Sequence, residues 1–311
     1  MFYFQAPPHP VIDDINPPPW HKPVDLRIIS LVFNRAASLK RQLDSLNTAE
    51  YFGDNVLVEI WIDRSKNDGK IDPKTYLVAK NFTFKYGDVR VHNHTRHVGL
   101  YGQWMGTWRP DHDSDEIALF LEDDVSVSPL FYRWLRNVHR KYDKRTDVAG
   151  YSLRGTCPRY KGRNVIDLRA PKTEFCMLYR ATGSWGISPH RENWFKYIEW
   201  YKNASRDRNF QPLVPGIIPN EWYKTFMKTG TTENMWTMWH IHYTHYNNQY
   251  TLFLNFPNKT GLTSHWQEGG LHYRKQQTLK KSAPILTKWD PRYDDLPDKP
   301  LKLDYDGKII K

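Results

Sequence analysis

Cysteine is almost absent: Cys157 and Cys176 are the only two in 311 residues. Two thiols without close spacing exclude a cysteine-built zinc site. They either pair, clipping one hairpin, or both stay free. Long apolar runs are missing too. None reaches membrane-spanning length, and the Met1-Phe2-Tyr3-Phe4 start is too short for a signal peptide or a span. Any membrane attachment is therefore expected through an anchor outside this chain. The common phosphate loops are also lacking. No Gly-x-Gly-x-x-Gly follows the first apolar run, and no Gly-x-x-x-x-Gly-Lys-Ser/Thr occurs.

Aromatic residues and positive charge are abundant instead. Aromatics make up 15% of the chain, which fits either a sugar- or nucleotide-facing cleft or a heavily aromatic core. The net charge is +11, which favours anionic partners. The basic residues are scattered, however, and their densest clusters, Arg133 to Arg145 and Arg274 to Lys281, are short. That pattern points to an anionic ligand more than to nucleic acid. Asn-x-Ser/Thr triplets begin at Asn81, Asn93, Asn203 and Asn258 and lean toward a secretory location, with the cytoplasm as the alternative.

Residues 1–25 carry many prolines, which excludes a helix or central strand there and leaves an extended lead-in. A regular alternation follows. Asp25 to Phe33 reads as a first strand, closed by Asn34 and Arg35. A helix with Ser38 as its cap comes next. Val56 to Ile62 is a second strand ending in Asp63-Arg64-Ser65, then a helix over Thr75 to Asn81. Val89 to His92 is a third strand, and Val98 to Trp108 a helix. Ile117 to Leu121 is a fourth, buried strand. Strands and helices in this order predict an α/β fold with a parallel sheet and right-handed crossovers.

The fourth strand runs into Glu122-Asp123-Asp124 and then Val125-Ser126-Val127-Ser128-Pro129, with a helix expected from Leu130. Three adjacent carboxylates repel one another unless a cation or hydrogen-bond donors gather there. Strand ends of open α/β sheets are where ligands bind. A divalent cation held by Asp123 or Asp124 would replace the missing phosphate loop.

The second half is less regular. Asp147 to Ser152 and Phe175 to Leu178 read as strands joined by a basic stretch through Arg159 and Lys161. Gly183-Ser184-Trp185-Gly186 allows close backbone approach and offers a flat indole, and a helix follows over Arg191 to Tyr201. Asn220 is expected to cap a helix through Met227, with Glu221 in its first turn as a stabilised anion. His240 to His245 reads as a strand and lacks the spacing of a metal helix. A Gly-rich loop over Gly261 to Lys275 carries His265 and His272, which could close over a diphosphate and complete a metal site.

Taken together these segments resemble the GT-A glycosyltransferases. Leu121 to Phe131 is similar to the Glu-Asp-Asp-Leu-x-x-x-Pro-x-Phe motif of the Golgi β-1,2-N-acetylglucosaminyltransferases (family 13). Asn34-Arg35 and Asp63-Arg64-Ser65 match that family's nucleotide-holding positions. Gly183 to Gly186, with Asn193-Trp194, resembles its acceptor-side segment. Asn220-Glu221-Trp222 resembles its Asp-Asp-Trp, with glutamate in place of the expected aspartate. Family 2-like transferases are similar as well. The likeness covers about residues 25 to 275.

The resemblance implies a GT-A fold, a Rossmann-like mixed sheet flanked by helices. It implies one catalytic domain over 26–280, with a nucleotide half at 26–125, an acceptor half at 126–280 and a wrapping tail at 281–311. It implies transfer of a sugar, with GlcNAc as best guess, from a UDP-sugar to a glycan or glycoprotein hydroxyl with inversion. Another donor, a retaining outcome, or a non-catalytic glycan- or polyanion-binding module are the alternatives. Asn34, Arg35, Asp63, His97, Glu122 and Asp123 would hold the donor. Asp124, with His265 or His272, would hold a divalent metal, best Mn2+. Gly183, Trp185 and Trp222 would contact the acceptor, and Glu221 would be the base. The partners implied are a nucleotide sugar and a glycan, not nucleic acid. The location implied is the Golgi or secretory lumen.

Overall fold

Apolar runs rich in Val, Ile and Leu build the first half of the sheet, because such runs fit strands covered on both faces. The computed structural model describes residues 8–12, 20–109, 114–161, 164–268 and 283–310. Its first elements are β1 (Leu26–Val32), α1 (Ala36–Leu46), β2 (Val56–Ile62), α2 (Pro73–Lys80), β3 (Gly87–Asn93), α3 (Gly99–Gly106) and β4 (Ile117–Glu122). The expected alternation is present, and these four strands pair in parallel in the order β3-β2-β1-β4. Strand order reverses between β1 and β4. Such a switch point leaves a crevice at the strands' carboxyl ends, where open α/β sheets bind ligands. Arg35 and Glu122-Asp123-Asp124 lie at those two ends.

The chain then forms β5 (Val125–Val127), α4 (Phe131–Tyr142), β6 (Val148–Ser152), β7 (Pro158–Lys161), β8 (Asn164–Asp167), β9 (Cys176–Tyr179), β10 (Ile187–Pro189), α5 (Arg191–Ala204), α6 (Ile218–Thr229), α7 (Thr237–Tyr246), β11 (Tyr250–Leu254), β12 (Thr263–His265), β13 (Lys302–Leu303) and β14 (Ile309–Ile310). β10 runs antiparallel between β4 and β6 and joins the two halves. The result is one mixed sheet of ten strands, ordered β14-β13-β9-β11-β6-β10-β4-β1-β2-β3. The mixed α/β fold expected from the sequence is therefore present. β12 pairs with β5 in a separate ribbon, which sets His265 opposite Val125, the residue after Asp124.

Three local expectations are corrected. Ser38 is not a cap: α1 starts at Ala36, and the Ser38 hydroxyl instead donates to Glu268. Asn220 is not a cap either. α6 starts at Ile218 with Pro219 in its first turn, where proline's lost N–H costs nothing. The Asn220 Oδ1 instead accepts from the Val214 amide at 3.0 Å. His240 to His245 is helix, not strand. α7 buries Met238, Trp239, His240, Ile241, Tyr243 and Thr244, and a helix buried nearly all round shows no amphipathic period. The basic stretch around Arg159, for which no element was expected, forms a hairpin, β7 against β8.

The aromatic richness serves mainly the core. Five of the 13 tryptophans (Trp104, Trp134, Trp194, Trp236 and Trp239) are fully buried. Several meet between α3, α5 and α7, with Trp104 and Trp236 stacked at 4.4 Å. Cys157 and Cys176 are both free and buried, so the open alternative resolves to two thiols. One glutamate sits inside β2: Glu59 is buried, and Arg27 at 3.1 Å and Arg90 at 3.7 Å compensate it.

Under the sheet, the His139 Nδ1 lies 2.8 Å from the Asp143 carboxylate, and its Nε2 lies 2.7 Å from the Ser188 hydroxyl. Ser188 spends its proton on the Ala118 carbonyl, so Nε2 must donate. Tyr151 donates to the other Asp143 oxygen at 2.7 Å. Burial alone would raise the Asp143 pKa; the charge and hydrogen bond of His139, with Tyr151, lower it below the ordinary 3.8. A carboxyl depressed on folding contributes stability that is full above the unfolded value and lost as pH falls through the folded value. Asp143→Asn should therefore lower Tm at pH 7 and not at pH 2. The expected loss is about 1 kcal/mol or less, because the carboxylate is half exposed and screened. Melting curves across that range check it.

Candidate active site

The crevice at the switch point holds a compact charged cluster. Arg35, directly after β1, donates through Nη1 to Asp123 Oδ1 at 3.0 Å and to Asp124 Oδ2 at 2.9 Å. From the other side His265, at the end of β12, places Nε2 3.3 Å from Asp124 Oδ2. Trp266 donates its backbone amide to the Asp124 carbonyl at 2.8 Å and its indole to Ser126 at 2.8 Å, which fixes this ribbon. Glu122 points to the opposite side of the strand end, where the Trp104 indole donates to it at 3.0 Å. Gln42 of α1 donates to the Glu122 carbonyl and, at 3.2 Å, to the Val125 carbonyl, so the acidic turn is pinned by a buried side chain.

The three acids do not share one protonation state. Burial, then the Asp124 charge, pushes Glu122 up to about 8. Burial pushes Asp123 up to about 7, against the opposing pull of Arg35. Burial also works against ionised Asp124, but His265 and Arg35 outweigh it and hold this carboxyl below its usual range. One firm anion beside two acids that resist ionisation is a site short of positive charge.

A divalent cation can be tested against these groups. Among the described residues, no three His, Cys, Asp or Glu side chains are grouped to hold a metal by themselves. Asp124 Oδ1, however, is buried and accepts no hydrogen bond among those residues. A carboxylate oxygen suits a hard cation such as Mn2+, and the His265 imidazole lies beside the other oxygen of the same carboxylate. These residues fit a cation that takes its remaining ligands from a phosphate-bearing ligand and water.

The other expected site residues are distributed as follows. Asp63, after β2, receives the amides of Arg64, Val98 and Gly99 at 2.8, 2.9 and 2.9 Å. Both its oxygens thus bind the start of α3, and Asp63 positions that loop. His97 lies with Nδ1 2.7 Å from the Arg64 carbonyl and 3.1 Å from Asp63. Asn34 is exposed beside Arg35. Gly183 has φ +72° and lies so close to Ser152 that a Cβ would sit 2.4 Å from its hydroxyl. Trp185 stacks on His265 with ring centroids 4.5 Å apart, which brings an expected acceptor residue against an expected metal residue. Trp222 and Gly183 line one pocket of about 80 Å³. Glu221 does not line it: its carboxylate is exposed, 2.9 Å from Lys224 and 3.1 Å from the Asn220 amide. The Lys224 hydrogen bond keeps its pKa below the ordinary range. His272 lies outside the described residues.

Sequence reasoning overlooked several contributors. Gln42 and Trp104 carry no motif. Glu268 accepts from Ser38 and pairs with Arg41, tying the Gly-rich segment to α1. Arg154, whose guanidinium stacks 4.0 Å from the Trp185 ring centroid, was equally silent.

No family model and no curated protein matches the chain. Solved structures do. The chain is similar to TarS residues 1–349 of S. aureus at 10% identity, covering 75% of this chain and 58% of that one, with a TM-score of 0.42. It is similar to the mannosyltransferase PcManGT from Pyrobaculum calidifontis, solved with GDP-Man and Mn2+, at 11% identity over 78% and 76%, TM-score 0.39. It is also similar to mouse xyloside xylosyltransferase 1 in its apo form, at 9% identity over 75% and 85%, TM-score 0.38. The chain thus spans little more than half of the S. aureus chain it matches.

Proposed function

We propose that this chain is a metal-dependent GT-A glycosyltransferase that moves a sugar from a UDP-sugar to a glycan or glycoprotein hydroxyl. One observation carries the reading. The buried, half-unpartnered Asp124 stands between Arg35 and His265 at the sheet's switch point, where the chain has no phosphate loop. GlcNAc is the proposed sugar and inversion the proposed outcome, both on the motif resemblance of residues 121–131.

Asp124 and His265 would hold the cation, proposed as Mn2+. When bound, it supplies positive charge against the diphosphate of the donor and of the departing UDP. Arg35 is placed to share that task from the end of β1. Glu122, kept neutral by burial, faces Trp104 and shapes the donor side. Glu221 is the proposed base. As the acceptor oxygen bonds to the anomeric carbon, the bond from that carbon to the phosphate oxygen breaks and the hydroxyl proton passes to the Glu221 carboxylate. A secretory location is proposed on the four glycosylation triplets, whose asparagines Asn81, Asn93, Asn203 and Asn258 are all exposed.

The test screens UDP-sugars for Mn2+-dependent turnover and repeats the best with Glu221→Gln. Transfer should fall by about 10²–10⁴-fold, the range for losing a general base, while UDP binding stays within about twofold. Full transfer by Glu221→Gln would remove Glu221 from the mechanism. No turnover of any nucleotide sugar would remove the transferase reading.

A further inference from the structure

One charged group in the acceptor-side pocket is left without a task. Arg154 follows β6, and its guanidinium lies 4.0 Å from the Trp185 ring centroid. Among the described residues Nη2 has the Thr156 Oγ1 as a hydrogen-bond partner, at a long 3.4 Å. Nε is buried and bonds to nothing among the described residues. The acid that acts on it most among side-chain carboxylates is Asp167, which is already paired with Lys259. Burial lowers the Arg154 pKa, the mark of a cation paying desolvation without a counter-ion. A guanidinium in that position is costly unless something anionic completes it.

The surroundings indicate what that is. The pocket of about 80 Å³ is lined by Arg154, Gly183, Ser184, Pro219 and Trp222 among others, and Arg154 is the one charged residue in its lining among the described residues. Arg35, Asp123 and Asp124 take no part in it. The pocket holds Gly183 and Trp222, two of the residues expected to contact the acceptor, and none of those expected to hold the donor. An indole, hydroxyls and a guanidinium with no carboxylate bonded to it among the described residues make a surface for a sugar ring that bears a negative charge.

Resting on the proposed transferase reading, we propose that Arg154 is a specificity-determining residue that receives an anionic group, a carboxylate or a phosphate, carried by the acceptor glycan. The full chain, without donor, is titrated by tryptophan fluorescence. The probes are a glucuronate-terminated disaccharide and its glucose-terminated counterpart, and mannose 6-phosphate and mannose. At least one charged probe should bind about tenfold or more tightly than its neutral counterpart, the scale of one charge-assisted hydrogen bond. The two pairs separate carboxylate from phosphate. Arg154→Gln should remove the advantage and Arg154→Lys keep part of it, with UDP binding unchanged in both. Equal binding of charged and neutral probes by the unmodified protein, or binding of none, overturns the proposal whatever the variants do. So does an Arg154→Gln protein that loses UDP binding and keeps the charged-probe advantage. Failure of the transferase reading is distinct: charged probes would bind while no nucleotide sugar turns over.

Discussion

Asp124→Asn should abolish metal-dependent turnover of the nucleotide sugar, by on the order of 10²–10³-fold, while the protein still folds. The magnitude is that of removing one preorganised electrostatic contact to a transition state. The reason is local. Asp124 is the acid of the three that is held ionised, by His265 and Arg35 against burial, and its Oδ1 is the buried oxygen that accepts nothing. An amide keeps the shape and one acceptor oxygen but loses the charge a divalent cation needs. Folding should survive, because Arg35 keeps Asp123 at 3.0 Å and the backbone of Asp124 keeps Trp266. Activity is measured as nucleotide release at saturating Mn2+, and folding by melting. Metal-dependent activity in the Asp124→Asn protein would take the cation away from this carboxylate.

Arg35→Met should destabilise the metal-free protein by about 2–3 kcal/mol. Removing one partner of a buried ion pair costs roughly 3–5 kcal/mol. The lower figure applies here because Arg35 is only part-buried and because Asp123, already pushed up to about 7, escapes part of the penalty by binding a proton. The sign of the pH dependence follows. Without Arg35 the folded acids hold protons to higher pH than the unfolded ones, which ionise near 4. The deficit should be small at pH 5 and grow as pH rises toward 8. Mn2+ should restore much of the lost Tm, because a cation replaces the missing charge and binds only the folded state. A deficit independent of both pH and Mn2+ would mean that Arg35 acts by packing alone.

The first half of the fold was legible because β1, β2 and β4 are mainly apolar runs with polar stops, and β3 alternates valine with polar residues. β2 spans Val56–Ile62 as expected, and β4 ends on the first of the three acids. The second half was less so for definite reasons. α7 is buried nearly all round and shows no period, so its alternating histidines imitated a strand. β8 runs from exposed to half-buried, with Val165 on its surface, and carries no in–out alternation. In the site, the meeting of Arg35, Asp123, Asp124 and His265 follows from residues the sequence singled out. What each one touches was not readable. Asp63 resembles a nucleotide ligand in sequence but spends both oxygens on backbone amides, because the end of β2 brings it against the start of α3. Arg154 has no neighbouring motif, and its place beside Trp185 shows only in three dimensions.

The cation and Asp124 can be examined together in crystals grown with UDP and Mn2+, measured at the manganese absorption edge. One anomalous peak is expected, against Asp124 Oδ1 at the carboxyl ends of β1 and β4, with the diphosphate beside Arg35. A peak elsewhere, or UDP bound at Asp124 with no metal between them, would contradict the proposed site.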